Sequence, residues 1–220
     1  MPDWLHIDIP TFDREVAVEE ADPAVLVDRF VLERLPFKFE TKEQYLRWRA
    51  GLATGLRVDN RDVAVVGSAC TGRSLSPTKR FGVFKDAKSD VDIAVVSQWH
   101  FDEAWQWFIT QDPLRITGLD QEGRKTFEQH KKQYIFDGMI ASNVFLSYLR
   151  FGPEWLRELQ RSEANLPRIL MGRILTTRIY RTNSDLRRAQ AVSLASYRSY
   201  LANRNASPTS GDGRERSKLP

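Results

Sequence analysis

Ser89-Asp90-Val91-Asp92-Ile93-Ala94-Val95-Val96 places two aspartates one residue apart at the head of an apolar run. Side chains alternate between the faces of a strand, so Asp90 and Asp92 are expected to point one way while Val91, Ile93 and Val95 point into the protein. Two carboxylates held that close repel and resist ionising together unless a cation is shared, and hard divalent cations such as Mg²⁺ choose oxygen ligands of this kind. The pair predicts a metal, and behind the metal a phosphate. Upstream, Asp62 to Val66 is short, β-branched and closed by Gly67-Ser68, which reads as a buried strand ending in a tight turn. Gly67 permits a positive φ and lets a ligand approach the backbone, and Ser68 offers a hydroxyl and an N–H to phosphate oxygens. A helix starting near Ala69 would add its N-terminal amides to the same anion site. Either motif alone ends or opens many ordinary strands; together they are expected to converge at one mouth of a sheet.

The rest of the chain supports a folded, soluble body. At 220 residues it can bury a sizeable core as one domain. With 41% apolar residues, six Trp and twelve Phe, it is too rich in core-forming side chains to be disordered. The net charge of +4 suits an anionic substrate without announcing a nucleic-acid binder. One cysteine, Cys70, excludes an internal disulfide framework, and the scattered His6, His100 and His130 exclude a structural zinc spacing. A reducing cytoplasm fits. No apolar run approaches the roughly 20 residues needed to span a bilayer, and the N-terminus lacks the charged start and apolar core of a signal peptide.

Apolar spacing predicts helices over 21–35 and 41–56, the second capped by Thr41, before the first strand. Further helices are expected over 101–111, 121–135, 143–149 and 153–161, a strand over 173–181, and a last amphipathic helix from Asn183 or Ser184 to about residue 202. Residues 203–220 are expected to be a mobile tail. One domain over 1–202, with its core at about 41–181, follows. Trp99, Phe101, Trp105, Trp107 and Phe108 read mostly as core, and Cys70 as a small buried residue.

The succession of helix, apolar strand, Gly67-Ser68, short helix and Asp90-x-Asp92 on the next strand resembles the nucleotidyltransferase superfamily. That superfamily includes polymerase β, poly(A) polymerases, tRNA CCA-adding enzymes, aminoglycoside nucleotidyltransferases and bacterial cyclic-oligonucleotide synthases. The resemblance covers roughly residues 41 to 110. It implies an α/β (α+β) fold, a small mixed sheet with flanking helices and a helical C-terminal portion. It also implies that Gly67 and Ser68 hold the phosphates of a nucleoside triphosphate, and that Asp90 and Asp92 bind Mg²⁺ or Mn²⁺ and act in catalysis, with transfer of a nucleoside monophosphate to an acceptor hydroxyl. The acceptor is open: a small molecule, an RNA or other nucleic acid, or a protein partner.

Two departures from the family pattern matter. Residues 69–89 put 21 residues between Ser68 and Asp90, a basic and aromatic insertion long for a connection in a compact domain. Such a loop either folds over a nucleotide or is a solvated excursion. Arg73, Lys79, Arg80, Lys85 and Lys88 are its candidates for phosphate contacts, Arg73 and Lys79 foremost. The second departure concerns the third carboxylate that hydroxyl-activating relatives place on a later strand. Arg173 to Arg181 has no Asp or Glu and presents Thr176 or Arg178 instead, leaving Asp137 as the nearest substitute. A catalytically weakened module that binds nucleotide, nucleic acid or a protein is therefore the alternative. An Asp-x-Asp glycosyltransferase ranks lower, because there the aspartates usually follow an apolar strand. The arginines between Arg150 and Arg188 are interleaved with acids and read as a solvated face rather than a polyanion track.

Overall fold

A computed structural model describes residues 7–85, 88–141 and 143–206 of the chain. Before the first strand come α1 (Ile9–Val16), α2 (Pro23–Val27), which continues as a π turn over Asp28–Leu32, and α3 (Lys42–Leu56). Thr41 starts α3 as expected: its Oγ1 accepts the Gln44 N–H at 3.1 Å, satisfying one of the orphan donors of the first turn. The strand β1 (Val63–Val66) leads directly into a single turn of helix, α4 (Gly67–Thr71). After the inserted loop come β2 (Val91–Val96) and α5 (Gln98–Thr110), the latter capped by Ser97, then α6 (Gln121–Gln129) with a π turn over His130–Tyr134. The remaining elements are β3 (Met139–Ala141), α7 (Gly152–Ala164), β4 (Leu175–Tyr180) and α8 (Asn183–Ala206).

The four strands form one mixed sheet in the order β1-β2-β4-β3. β1 runs antiparallel to β2 with Val66 opposite Asp92, and β2 runs parallel to β4 with Asp92 opposite Thr176. A parallel pair needs a long crossover, here supplied by α5, α6, β3 and α7. β2 is an interior strand, and Val91, Ile93, Ala94, Val95 and Val96 are all buried, so both of its faces are covered and Asp92 is the polar interruption. Thr176, Arg178 and Tyr180 alternate onto the same face of β4, and Gln190 of α8 reaches the Tyr180 hydroxyl there at 3.5 Å. The long last helix therefore packs on the face that carries Asp92. α3 is tied to α7 by the Trp48 indole, which donates to the Ser162 carbonyl at 3.1 Å.

Several expectations need correction. α1 precedes the two expected helices; its cap, Asp8, accepts the Thr11 N–H at 2.8 Å. The helix expected over 143–149 is reduced to a 3-10 turn at Leu146–Tyr148. β3, too short for sequence periodicity to register, occupies the edge beside β4. Of the aromatic group after β2, Phe101 and Phe108 are buried, whereas Trp99 and Trp105 are exposed. α8 extends through residues 203–206 of the expected tail; residues 207–220 of it lie outside the described residues. Among the described residues no helix is long and apolar enough to cross a membrane.

Candidate functional site

At the end of β1 the chain must turn sharply to start α4, and Gly67 does so with φ at +62°. Its hydrogen faces the carboxylate of Asp92: a Cβ built there would lie 2.7 Å from Asp92 Oδ2. Glycine is thus required twice, for the left-handed backbone and for the approach of a carboxylate to the main chain. The other oxygen of Asp92, Oδ1, accepts a hydrogen bond from Thr176 Oγ1 at 2.9 Å across the β2–β4 ladder. Asp92 is half-buried between the Gly67 backbone and the Thr176 hydroxyl. Ser68 follows Gly67 and is buried at the start of α4, which at five residues is too short to supply a full helix dipole.

These residues line one end of a cleft of about 490 Å³. One wall is the segment Ser74 to Lys79, the first part of the inserted loop; the other is α8, through Gln190, Ser193 and Ser196. Arg178 stands on the floor, two residues along β4 from Thr176. Among the described residues the charged side chains lining the cleft are Asp92, Lys79 and Arg178, and the remaining polar lining is mostly hydroxyl. Lys79 and Arg178 are exposed; the contact recorded for the Arg178 guanidinium is a weak one, Nη1 to the Met139 sulfur at 3.9 Å.

Between Gly72 and Phe84 the inserted loop is packed on the body rather than a solvated excursion. Phe81 is buried against α8, its ring centroid 4.6 Å from that of Tyr200 and 5.4 Å from that of Tyr197. Ser74 N–H donates to Gly82 O at 2.8 Å and Phe84 N–H to Gly72 O at 2.9 Å, closing the excursion into a hairpin-like strap. Arg73 serves that strap. Its Nε and Nη2 make a two-pronged pair with Asp13 of α1 at 3.0 and 2.7 Å, and Nη1 donates to Phe81 O at 3.2 Å. Tyr197 adds its hydroxyl to the same carboxylate at 2.6 Å, and burial together with that hydrogen bond raises the pKa of its phenol.

Of the residues singled out by sequence, Gly67, Ser68, Lys79 and Asp92 are brought together in the cleft. Asp90 sits just before β2, exposed and outside the cleft lining. Arg73 is committed to Asp13, and Arg80, Lys85 and Lys88 lie elsewhere on the loop surface. Asp137 is removed from the site altogether: it lies in the turn before β3, whose Met139 is opposite Tyr180 at the far end of β4, four residues or about 13 Å of strand from Thr176. Thr176, and no carboxylate, stands opposite Asp92 on β4, and among the described residues no group of three or more His, Cys, Asp or Glu gathers as a metal cage. Cys70 is buried, its thiol 3.3 Å from Val31 O and pushed up to about 11 by desolvation, so it is an inert packing residue.

Sequence reasoning missed the α8 wall. The signal was there in Ser193 and Ser196, two small polar residues three apart on a helix, which share a face and leave room beside it. Comparison of the chain with family models, with curated proteins and with solved structures returns no match.

Proposed function

We propose that the cleft takes the triphosphate of a nucleoside triphosphate and that the chain is a nucleotidyltransferase of the superfamily it resembles. The reaction joins an acceptor hydroxyl oxygen to the α-phosphorus as the bond to the leaving phosphate breaks, releasing pyrophosphate. One observation carries this reading: the Asp92 carboxylate lies against the Gly67 backbone, beside Ser68, at the mouth of a cleft that also holds Lys79 and Arg178. Ser68, Lys79 and Arg178 supply donors for phosphate oxygens, and Asp92 is the cleft carboxylate able to accept a proton from an acceptor hydroxyl. The carboxylate of Asp92 suits Mg²⁺, which is ordinarily held by one or two carboxylates together with substrate phosphates and water, and Mn²⁺ shares that preference; Asp90, outside the cleft lining, is the nearest second carboxylate in sequence. When bound, the cation supplies positive charge that offsets the triphosphate.

A second reading is favoured by Thr176. With a hydroxyl donating to Asp92 where a third carboxylate would complete a two-metal site, the chain is a nucleotide-binding module with weak turnover or none. Incubation with each radiolabelled NTP, Mg²⁺ or Mn²⁺ and candidate acceptors, beside an Asp90→Ala/Asp92→Ala variant, separates the two. Label transfer or pyrophosphate release that disappears in the variant supports the transferase; binding measured by calorimetry without release supports the module.

A further inference from the structure

The charge of the cleft is unusual for a site meant to reach phosphate through metal. Two-metal phosphoryl sites gather carboxylates so that cations, in turn, gather the phosphates. Here, among the described residues, the charged lining is one anion and two cations: Asp92 against Lys79 and Arg178. One oxygen of the anion is already occupied by the Thr176 hydroxyl and the other is pressed against Gly67. Thr176 and Arg178 share a face of β4 about 7 Å apart along the strand, and Arg178 lines the same cleft as the Asp92 carboxylate. A guanidinium offers a planar fork of donors matched to phosphate oxygens, and the bond recorded for this one is to a thioether sulfur, a weak acceptor easily exchanged for an oxyanion. Ser74, Ser76, Thr78, Ser193 and Ser196 also line the cleft, and among the described residues Asp92 is the carboxylate that does so.

We infer that the cleft recognises a polyphosphate group directly, through Arg178 and Lys79, without a divalent cation. The inference rests on the reading of the cleft as a triphosphate site and deepens it: metal serves any transfer step, and anchoring of the ligand does not depend on it. It also assigns Asp92 an unexpected sign in binding. In the absence of metal its negative charge opposes the phosphates, so neutralising it strengthens the complex rather than abolishing it.

The test is calorimetric titration of the full chain with ATP and, separately, with inorganic tripolyphosphate, each in EDTA and in Mg²⁺, for the wild type and for Arg178→Met, Lys79→Met and Asp92→Asn. Both ligands are expected to bind in EDTA. Arg178→Met is expected to weaken both by about tenfold or more, Lys79→Met by less, and Asp92→Asn to bind at least as tightly as the wild type. Arg178 and Lys79 are exposed, so both variants are expected to fold, which an unchanged melting temperature verifies. Binding that requires Mg²⁺ and is lost in Asp92→Asn while Arg178→Met behaves as wild type overturns the inference and leaves the nucleotide site standing. ATP binding without tripolyphosphate binding also overturns it, by placing recognition on the nucleoside. Failure of both ligands under every condition sinks the nucleotide site and the inference with it.

Discussion

Replacing Gly67 with alanine tests the geometry on which the site depends. Two costs are expected. Holding an L-residue at φ +62° costs roughly 1–2 kcal/mol. The new methyl would also lie 2.7 Å from Asp92 Oδ2, so the carboxylate must move and give up its hydrogen bond from Thr176, a charge-assisted contact worth about 1.5–3 kcal/mol. The sum, roughly 2.5–5 kcal/mol, corresponds to a fall in melting temperature of about 5–20 °C for a chain of this size. Two comparisons isolate the second cost. Gly172 has φ +75° and open space where a Cβ would be, so Gly172→Ala carries the backbone cost alone. In an Asp92→Ala background the clash has no partner, so the Gly67→Ala cost is expected to shrink by about 1.5–3 kcal/mol, a coupling energy read from a double-mutant cycle. Urea denaturation followed by tryptophan fluorescence gives all the values. If Gly67→Ala costs no more than Gly172→Ala, or if the cycle is additive, Asp92 does not lie against the Gly67 backbone and the reasoning fails.

Three further outcomes are expected. Thr176→Asp sets a second carboxylate opposite Asp92, which is expected to cost about 1–2 kcal/mol in EDTA through like-charge repulsion and to be reversed by Mg²⁺; denaturation midpoints with and without the cation check this, and a variant indifferent to Mg²⁺ refutes the facing geometry. His100 is buried among Trp99, Phe151 and Trp155, and desolvation lowers its pKa to about 4 from 6.5, so the unfolded chain binds the proton first as pH falls. Stability is therefore expected to be full above about pH 6.5 and to decline by up to about 3 kcal/mol as the pH falls towards 4, a slope that His100→Gln is expected to reduce. His130, whose pKa burial also lowers, contributes in the same direction. Phe81→Ala removes the anchor of the loop on α8; it is expected to cost about 3 kcal/mol in chemical denaturation and to weaken tripolyphosphate binding, whereas unchanged binding would show that the Ser74 to Lys79 wall keeps its place without the anchor.

What could be read from the sequence was local. Thr41 with its capping hydroxyl, the β-branched run closed by Gly67 and Asp92 near the head of β2 each carry their structural meaning in adjacent residues, and they lie where local chemistry puts them, whereas Asp90 falls outside the cleft lining. The register that sets Thr176 against Asp92 does not, because it depends on a parallel pairing between strands 84 residues apart. β3 has only three residues and was invisible to any period-two pattern; its place is fixed by partners, among them His130, whose Nε2 accepts the Ala141 N–H at 3.1 Å. Arg73 illustrates the opposite error. In sequence it is a cation beside a phosphate turn, but Asp13, 60 residues earlier, neutralises it, and nothing near Arg73 in the chain announces that partner.

The clamp of Phe81 on Tyr197 and Tyr200 has a consequence for how the protein comes into being. The floor of the cleft is laid by the strands, but one wall belongs to α8 and the other is steadied by it, through rings at positions 197 and 200. A nascent chain that has been made only as far as β4 therefore owns every residue of the Gly67, Ser68 and Asp92 constellation and still lacks one wall of the cleft. The cleft is complete only with the final helix in place, and that helix also buries Leu186, Leu194 and Tyr197 in the core.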